Sequence, residues 1–211
     1  MTNILVVDDS PFIVDIFVIM LNEAGYTVES ADGGETALEK LKTFHPELIM
    51  LDVIMEPMDG WETLLAIKQD PRLKDIPVMM LTAKQITPYE AEAYNIYIED
   101  YLLKPVAQRD LYMAIESILT RLKNTTDDME LGRKNGHPDL LIQEYARLAH
   151  MTMISKRLIK LFENAYQYEK MPSPISEDIK VLTGRMSQNL NFQNERVKEL
   201  RELFAKSHTD I

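Results

Sequence analysis

The chain has 211 residues and a formal net charge of −11, and residues 1–123 hold all of that charge, with 21 acidic against 10 basic side chains. Such an acidic first half disfavours direct contact with nucleic acid, because duplex binding needs Lys and Arg against the phosphates. The absence of Cys excludes disulfides and thiolate metal sites. The start MTNILVVDDS lacks the basic opening and long apolar run of a signal peptide, and the run FIVDIFVIML, broken by Asp15, is too short for a bilayer. These features predict a cytoplasmic protein with no membrane association.

The first 123 residues alternate between short apolar or β-branched runs and longer segments with helical character. The predicted strands are residues 4–7, 27–30, 48–51, 78–81 and 101–103. The predicted helices are residues 11–23, 34–44, 61–69, 88–95 and 108–123. Strands that alternate with helices indicate βαβ units, and the unbroken apolar runs LVV, LIML and VMML are typical of parallel strands buried on both faces. The predicted fold class is therefore α/β, with a doubly wound, five-stranded parallel sheet.

Polar side chains follow four of the five strands. Asp8 and Asp9 follow the first, Asp52 the third, Thr82 the fourth and Lys104 the fifth. In open parallel sheets ligands bind outside the carboxyl ends of the strands, so we expect these side chains to meet at one edge. Three carboxylates repel each other and favour a divalent cation, and an all-oxygen ligand set favours Mg²⁺. A carboxylate held there can become an aspartyl phosphate, with a hydroxyl and an ammonium stabilising the phosphoryl oxygens.

Four short motifs carry a resemblance to a known family. They are VVDDS at 6–10, LDVIM with MDG at 51–60, MLTA at 80–83 and DYLLKP at 100–105. With these motifs, residues 1–123 resemble the receiver domain of two-component response regulators, the family of the chemotaxis receiver. The resemblance implies a flavodoxin-like sheet in the order 2-1-3-4-5, an order for which that receiver is a standard example.

The resemblance also implies roles for the three acidic residues at the strand ends, Asp8, Asp9 and Asp52. Asp52 would be the phosphoacceptor. Asp8, Asp9 and Asp52, with the backbone carbonyl of Ile54, would bind Mg²⁺. The phosphoryl donor would be a histidine kinase or a phosphotransfer protein. The domain would not be an enzyme acting on a separate substrate, because it would catalyse its own phosphorylation and dephosphorylation.

Three further residues take switch roles by the same resemblance. Thr82 would be the switch hydroxyl, Lys104 the ammonium that contacts the phosphoryl group, and Tyr101 the aromatic ring that changes rotamer with Thr82. The family's Lys-Pro peptide bond is commonly cis, so Lys104–Pro105 is predicted to be cis, against about 5–6% of X-Pro bonds in general.

The loop LDVIMEPMDG departs from the usual receiver pattern. Receivers usually have Pro four residues after the acceptor, where this chain has Glu56, followed by Pro57. The spacing from Asp52 to Asp59 and Gly60 is kept, and Asp59 is expected to help the turn into the next helix. Two interpretations of Glu56 stay open: a solvated surface carboxylate, or one that reaches a metal-bound water.

Residues 124–211 contain 13 acidic and 13 basic side chains and have no obvious chemistry. The composition of NTTDDMELGRKNGHP predicts an irregular linker over 124–138. Apolar residues at helical spacing then predict an all-α helical hairpin over 139–211, with a Pro-containing turn at 170–174. Because one pair of helices has a thin seam, a homodimer is expected, through these helices or through the face of the fourth helix, fifth strand and fifth helix.

Several alternative functions stay open from the sequence. His150 on a long helix would make the second half a phosphotransfer module, but the segment AHMTMISKR lacks the acid that follows the histidine of sensor kinases. A transcriptional regulator would need an unrecognised DNA-binding region, since no basic recognition helix is present. A haloacid-type phosphohydrolase would want an acid two residues after Asp52, where Ile54 stands. A pure scaffold would tolerate loss of Asp52. The favoured interpretation is a response regulator with a helical output that does not bind DNA.

Overall fold

The structure is a computed structural model and describes residues 2–84, 86–165 and 173–206. These residues fall into two compact units. The first consists of residues up to 84 together with Tyr97–Leu111. The second consists of Ile86–Ile96 together with residues from Tyr112 onward. The predicted domain boundary at residue 123 stays a prediction.

The first unit is built on a single parallel sheet. Its strands are β1 (Asn3–Val7), β2 (Thr27–Ala31), β3 (Leu48–Leu51), β4 (Val78–Thr82) and β5 (Asp100–Leu103), in the order β2-β1-β3-β4-β5. Every neighbouring pair is parallel. The predicted fold class and strand order are confirmed, and each predicted strand is present to within one residue at either end.

Burial explains why the central strands read as unbroken apolar runs. All residues of β3 and β4 are buried, as are Ile4–Val7 of β1, while the edge strand β2 alternates between exposed and half-buried positions before its buried last residue, Ala31. A strand covered on both faces has no solvent side on which polar residues would be favoured. The sequence LIML is therefore the signature of a central position in the sheet.

Five helices follow the strands. They are α1 (Pro11–Glu23), α2 (Gly34–Lys40), α3 (Gly60–Gln69), α4 (Pro88–Tyr94) and α5 (Gln108–Lys134). Pro11 occupies the first turn of α1, and Gly25 ends that helix in the left-handed region at φ +86°. Asp59 caps α3 as expected: its side chain accepts from Glu62 N at 2.8 Å, and Glu62 accepts from Asp59 N at 3.1 Å.

The prediction of an irregular linker over 124–138 is wrong for most of its length. Helix α5 continues to Lys134, and only the short stretch after it, with Gly136 at φ +81°, forms the turn into the next helix. The prediction failed because Thr, Asp and Asn disfavour helix only weakly in isolation, and packing against a neighbouring helix outweighs that preference. The two long helices predicted after it are present as α6 (Asp139–Ala165) and α7 (Ser173–Phe204). Residues 170–172 of the predicted turn lie outside the described residues.

In the second unit α5, α6 and α7 form a bundle. At its closed end, where α5 turns into α6, the apolar core consists of Ile142, Tyr145, Leu148, Leu200 and Phe204. Farther along the bundle the buried apolar residues are Ile154, Leu158 and Phe162 of α6 and Ile179 and Leu182 of α7. Gly132 of α5 allows the Phe204 ring to approach, since a Cβ at Gly132 would lie 3.1 Å from that ring. The closed end joins the end of α5, the start of α6 and the end of α7, so α6 runs antiparallel to both other helices.

A polar network also crosses this closed end. The Tyr145 hydroxyl donates to Asp128 Oδ2, and Arg201 donates from Nε to the same oxygen at 2.9 Å and from its terminal nitrogen to the Tyr145 hydroxyl at 3.0 Å. Burial and the hydrogen bond to Asp128 raise the pKa of Tyr145 to about 12. The bundle end therefore holds this phenol in its neutral form.

We predict that Tyr145 makes the stability of the bundle pH-dependent at high pH. The pKa of Tyr145 is higher in the folded than in the unfolded chain. Its contribution to the free energy of unfolding is therefore complete below pH 10 and is lost as the pH rises from about 10 toward 12. The free energy of unfolding of the wild type should therefore fall by about 1–2 kcal/mol relative to Tyr145→Phe over that window. Urea unfolding followed by helical circular dichroism at a series of pH values measures this difference. A constant difference between the two chains across the window would contradict it.

None of the helices in the part of the chain that the structure describes is both long and apolar enough to cross a bilayer.

Candidate functional site

The strand register places the polar residues of the motifs at one edge of the sheet. Val7 of β1 pairs with Leu51 of β3, so Asp8 and Asp52 leave neighbouring strands at the same level. Their backbones are held there, because Asp52 N donates to Val7 O at 2.9 Å. Strands β1 and β3 flank the point where the strand order reverses, which is where open parallel sheets bind ligands.

Three carboxylates meet at this point. Asp8, Asp9 and Asp52 each place an oxygen within 4.8 Å of the others, the only such group of metal-ligating side chains found among the described residues. Asp8 and Asp52 are buried, with 4% and 7% of their surface exposed, whereas Asp9 is exposed. One oxygen of each buried acid is held by a backbone N–H: Asp8 Oδ1 by Ser10 N at 3.0 Å and Asp52 Oδ1 by Val53 N at 2.8 Å. Two of the three carboxylates are thus held in place and desolvated, and the third faces solvent.

Lys104 supplies a cation that offsets part of the negative charge of this cluster. Its Nζ forms an ion pair with Asp8 Oδ2 and lies 3.3 Å from Asp52 Oδ2. The ammonium is positioned from β5, whose last residue Leu103 pairs with Thr82, and Lys104 N donates to Thr82 O at 2.8 Å. The Lys104–Pro105 peptide bond is cis, as predicted. Lys104 therefore bridges the two buried acids.

The two predicted switch residues form a second group, next to the first. Thr82 is fully buried, and its hydroxyl oxygen accepts from Lys84 N at 3.2 Å. Tyr101 is also buried, and its hydroxyl donates to Lys84 O. Both side chains therefore hold the backbone of one residue in the loop after β4. Sequence reasoning missed this shared partner, because only the fold places Tyr101 beside that loop.

Gly60 fixes the loop that carries Asp52. A Cβ at this position would lie 2.0 Å from Asp52 O and 2.7 Å from Val53 Cα, and Gly60 N donates to Val53 O at 3.0 Å. The start of α3 is therefore packed directly on the acceptor's own backbone. A Gly directly before the helix predicted over 61–69 was the signal in the sequence that could have shown this contact.

The remaining loop residues lie outside the acidic group. Glu56 is exposed and is not part of the carboxylate group among the described residues. The Glu56–Pro57 peptide bond is cis, which sequence reasoning did not anticipate. Ile54 has an exposed side chain, and the role of its carbonyl as a metal ligand stays a prediction.

The fold and this site define a receiver-type α/β domain, and comparison with known families agrees. A model of the response regulator receiver domain matches residues 4–116, more than half of the chain, which therefore belongs to that family. The family described as metanogen output domain 2 matches residues 121–208.

Individual relatives match the receiver part of the chain. The DNA-binding dual master transcriptional regulator RpaA of Synechocystis is 34% identical over 121 residues, which are 57% of this chain and 50% of that protein. The chain spans about half the length of the curated relatives it matches.

The chain is also similar to solved structures. The chemotaxis protein CheY4 of Vibrio cholerae, 30% identical, matches with a TM-score of 0.53 over 56% of this chain and 98% of that chain. The N-terminal domain of a response regulator receiver protein from Methanoculleus marisnigri is 58% identical, with a TM-score of 0.49 over 56% of this chain and 97% of that chain.

Proposed function

We propose that this chain is a response regulator that accepts a phosphoryl group on Asp52 from a histidine kinase or a phosphotransfer protein. One observation carries this assignment: the buried Asp52 carboxylate lies beside Asp8 and Asp9, within 4.8 Å, and 3.3 Å from the Lys104 ammonium. Family membership supports it, since receiver domains are phosphorylated by histidine kinases.

The donor set fits Mg²⁺. Asp8, Asp9 and Asp52 offer only carboxylate oxygens, which hard divalent cations prefer, and the described residues bring no His or Cys to the group. The carbonyl of Ile54 is proposed as a further ligand. When bound, Mg²⁺ would neutralise the charge that builds up on the phosphoryl oxygens.

The residues present can support in-line transfer to Asp52. Its Oδ1 is held by Val53 N–H, and Oδ2 faces Lys104. We propose that a carboxylate oxygen of Asp52 forms the new bond to phosphorus while the bond from phosphorus to the donor breaks, with the electron pair leaving on the donor's nitrogen or oxygen. Lys104 would then contact a phosphoryl oxygen. Hydrolysis by water would restore the carboxylate, so the protein would be a self-catalysed phosphoacceptor rather than an enzyme with a separate substrate.

The switch would run through the loop after β4. A phosphoryl group on Asp52 would compete with Lys84 N for the Thr82 hydroxyl. The Tyr101 hydroxyl donates to the carbonyl of the same Lys84, so both side chains restrain the backbone of this loop. Helix α4 begins only four residues after Lys84. The contact between α4 and α7 supports a route from the loop to the helical region. We propose that this region is the output.

The helical output is proposed to act without DNA. Residues 124–211 have no net charge, and α5, α6 and α7 are long bundle helices of 27, 27 and 32 residues. Neither feature is typical of a recognition helix, which needs Lys and Arg against phosphates. Partner binding or homodimerisation through these helices is the proposed alternative to DNA binding. The phosphotransfer role of His150 is disfavoured, because its Nε2 is buried and a donor nitrogen must reach the acceptor.

The assignment is tested by incubating the full chain with acetyl phosphate and Mg²⁺ and measuring the intact mass. We expect the gain of one phosphoryl group, mapped to the peptide that contains Asp52, and its loss when EDTA replaces Mg²⁺. A chain that gains no phosphoryl mass from acetyl phosphate or phosphoramidate would overturn the proposal.

We predict that Lys104 stabilises the domain most in the absence of a divalent cation. Replacing Lys104 by Met leaves the buried acids without their cation, and the free energy of unfolding should fall by about 2–3 kcal/mol in EDTA. Saturating Mg²⁺ should restore most of this loss. Urea unfolding followed by the fluorescence of Trp61, the chain's single Trp, measures it.

Lys40→Met is the matched control for this prediction. Lys40 pairs with Glu29 at an exposed site and should contribute less than about 1 kcal/mol, with or without Mg²⁺. Equal losses for the two variants would show that the acidic cluster does not depend on Lys104.

A further inference from the structure

Burial along α7 is concentrated in two separate groups of residues. Among the described residues of this helix, the buried ones are Ile179, Leu182 and Thr183 near its start, and Leu200 and Phe204 at its end. The structure describes all of residues 184–199, and none of them is buried. Packing supplies most of the stability of a helix within a protein, so the middle of α7 is held less firmly than the two buried groups.

Directional contacts fix the end of α7 in addition to its burial. Arg196 binds both carboxylate oxygens of Glu144, at 2.9 and 3.2 Å. Asn135 donates to Phe204 O at 2.8 Å and so satisfies a carbonyl that has no acceptor role within the helix. Together with the bonds of Arg201 at the closed end, these contacts set both the position and the rotation of this part of α7.

The middle of α7 is also low in helix propensity. Glycine is among the least favourable residues inside a helix, and Asn and Ser rank below the straight-chain residues. A Cβ at Gly184 would meet nothing within 4 Å, so close packing does not require glycine there. The stretch that follows contains Ser187, Asn189, Asn191 and Asn194. Local preference and burial therefore both leave this part of the helix weakly held.

Thr183 adds a feature that bends helices. Its buried hydroxyl donates to Ile179 O at 2.9 Å and lies 3.2 Å from Lys180 O. Such a hydroxyl competes with the backbone N–H for a helical carbonyl, and Ser or Thr in this arrangement often bends the helix. Thr183 stands directly before Gly184, at the point where the buried start of α7 meets its less buried middle.

We propose that residues 183–191 of α7 form a hinge, about which the buried start of the helix moves relative to its anchored end. Helix α4 contacts α7. With this hinge, α7 follows a displacement of α4 while the closed end of the bundle keeps its contacts. The hinge is a property of the helix itself and does not depend on phosphorylation of Asp52.

Amide hydrogen exchange of the full chain, followed by mass spectrometry of overlapping α7 peptides, tests for the hinge. We expect the protection of residues 185–193 to be lower by about tenfold or more than that of residues 179–183 and of residues 197–204. Fraying from the start of the helix would instead give protection that rises steadily along α7.

Strengthening the helix should remove this minimum of protection. The triple variant Gly184→Ala, Asn189→Ala and Asn191→Ala raises helix propensity at three exposed positions and should raise the protection of the hinge by about tenfold or more. The matched control, Asn124→Ala with Thr126→Ala, makes the same kind of change at exposed positions of α5. It should leave the protection of the hinge unchanged.

Distances across the α6–α7 pair test whether the start of α7 moves. The chain has no Cys, so spin labels attach only to introduced ones. One label pair uses Glu163→Cys with Glu177→Cys, before the hinge, and the other uses Gln143→Cys with Glu202→Cys, beyond it; all four positions are exposed. We expect a broad distance distribution for the first pair that narrows in the triple variant. The second pair should give a narrow distribution in both backgrounds.

Uniform protection along α7, or protection that rises steadily from its start, would overturn the proposal. The same holds if the hinge of the triple variant exchanges as in the wild type, or if the α5 control slows it equally. A first label pair that is as narrow as the second, or that stays broad in the triple variant, would also exclude a hinge at residues 183–191.

Discussion

Replacing Asp52 by Asn is expected to abolish phosphoryl uptake from acetyl phosphate. The amide cannot act as the nucleophile, and the two remaining acids are differently placed: Asp8 is ion-paired with Lys104, and Asp9 is exposed. Loss of the reacting group itself should lower the rate below detection, which means by at least about 10³-fold. Intact mass after incubation with acetyl phosphate and Mg²⁺ measures the outcome directly.

Asp59→Asn is the matched control, since it makes the same chemical change in the same loop. Asp59 caps α3 rather than lining the cluster, and Asn is about as good an N-cap as Asp. This variant should take up one phosphoryl group like the wild type. If Asp52→Asn gains a phosphoryl group while its fold is intact, the acceptor has been assigned to the wrong residue.

The Asp52→Asn substitution should also raise the stability of the domain in the absence of a divalent cation. Three neighbouring carboxylates repel each other, and Asn at position 52 removes one charge while keeping its shape. In EDTA the free energy of unfolding should rise by about 1 kcal/mol, and the stabilisation gained from Mg²⁺ should shrink. Destabilisation in EDTA would indicate that Asp52 is held mainly by Lys104 and Val53 N.

Replacing Gly60 by Ala is expected to disrupt the acceptor loop. The new Cβ would lie 2.0 Å from Asp52 O and 2.7 Å from Val53 Cα, and both are backbone atoms that cannot rotate away. Either the start of α3 or the strand end that carries Asp52 must move. We expect a loss of about 3 kcal/mol or more in the free energy of unfolding and at least tenfold slower phosphoryl uptake.

Trp61, beside Gly60 and only 6% exposed, reports this unfolding by its fluorescence. Gly184→Ala is the control: a Cβ there meets nothing within 4 Å, and Gly184 lies inside α7. Because Gly is unfavourable within a helix, that variant should be stabilised by about 0.5–1 kcal/mol in the unit that contains α7. If Gly60→Ala kept the stability and the phosphoryl uptake of the wild type, the close approach of Gly60 to the backbone of Asp52 and Val53 would not be needed for the acceptor loop.

The helical half shows the limit of pattern reasoning. Long apolar spacings predicted α6 and α7, because such spacings reflect burial along one side of a helix. The same reasoning ended the fifth helix at residue 123, whereas α5 continues to Lys134. Polar residues of 124–134 serve the bundle: Asp128 binds Arg201 and Tyr145, and Gly132 admits Phe204. Those partners lie in α6 and α7, so the sequence of residues 124–134 alone does not indicate these contacts.

The sequence by itself determined the sheet, its strand order through the family motifs, and the residues at its carboxyl edge, because each depends on local periodicity and on position relative to a strand end. Only the tertiary structure decided how those residues pair. It placed Lys104 between Asp8 and Asp52, joined Thr82 and Tyr101 through the backbone of Lys84, and left Asp9 exposed. These contacts connect strands far apart in sequence, and their geometry follows from sheet register and side-chain packing, which composition and spacing do not encode.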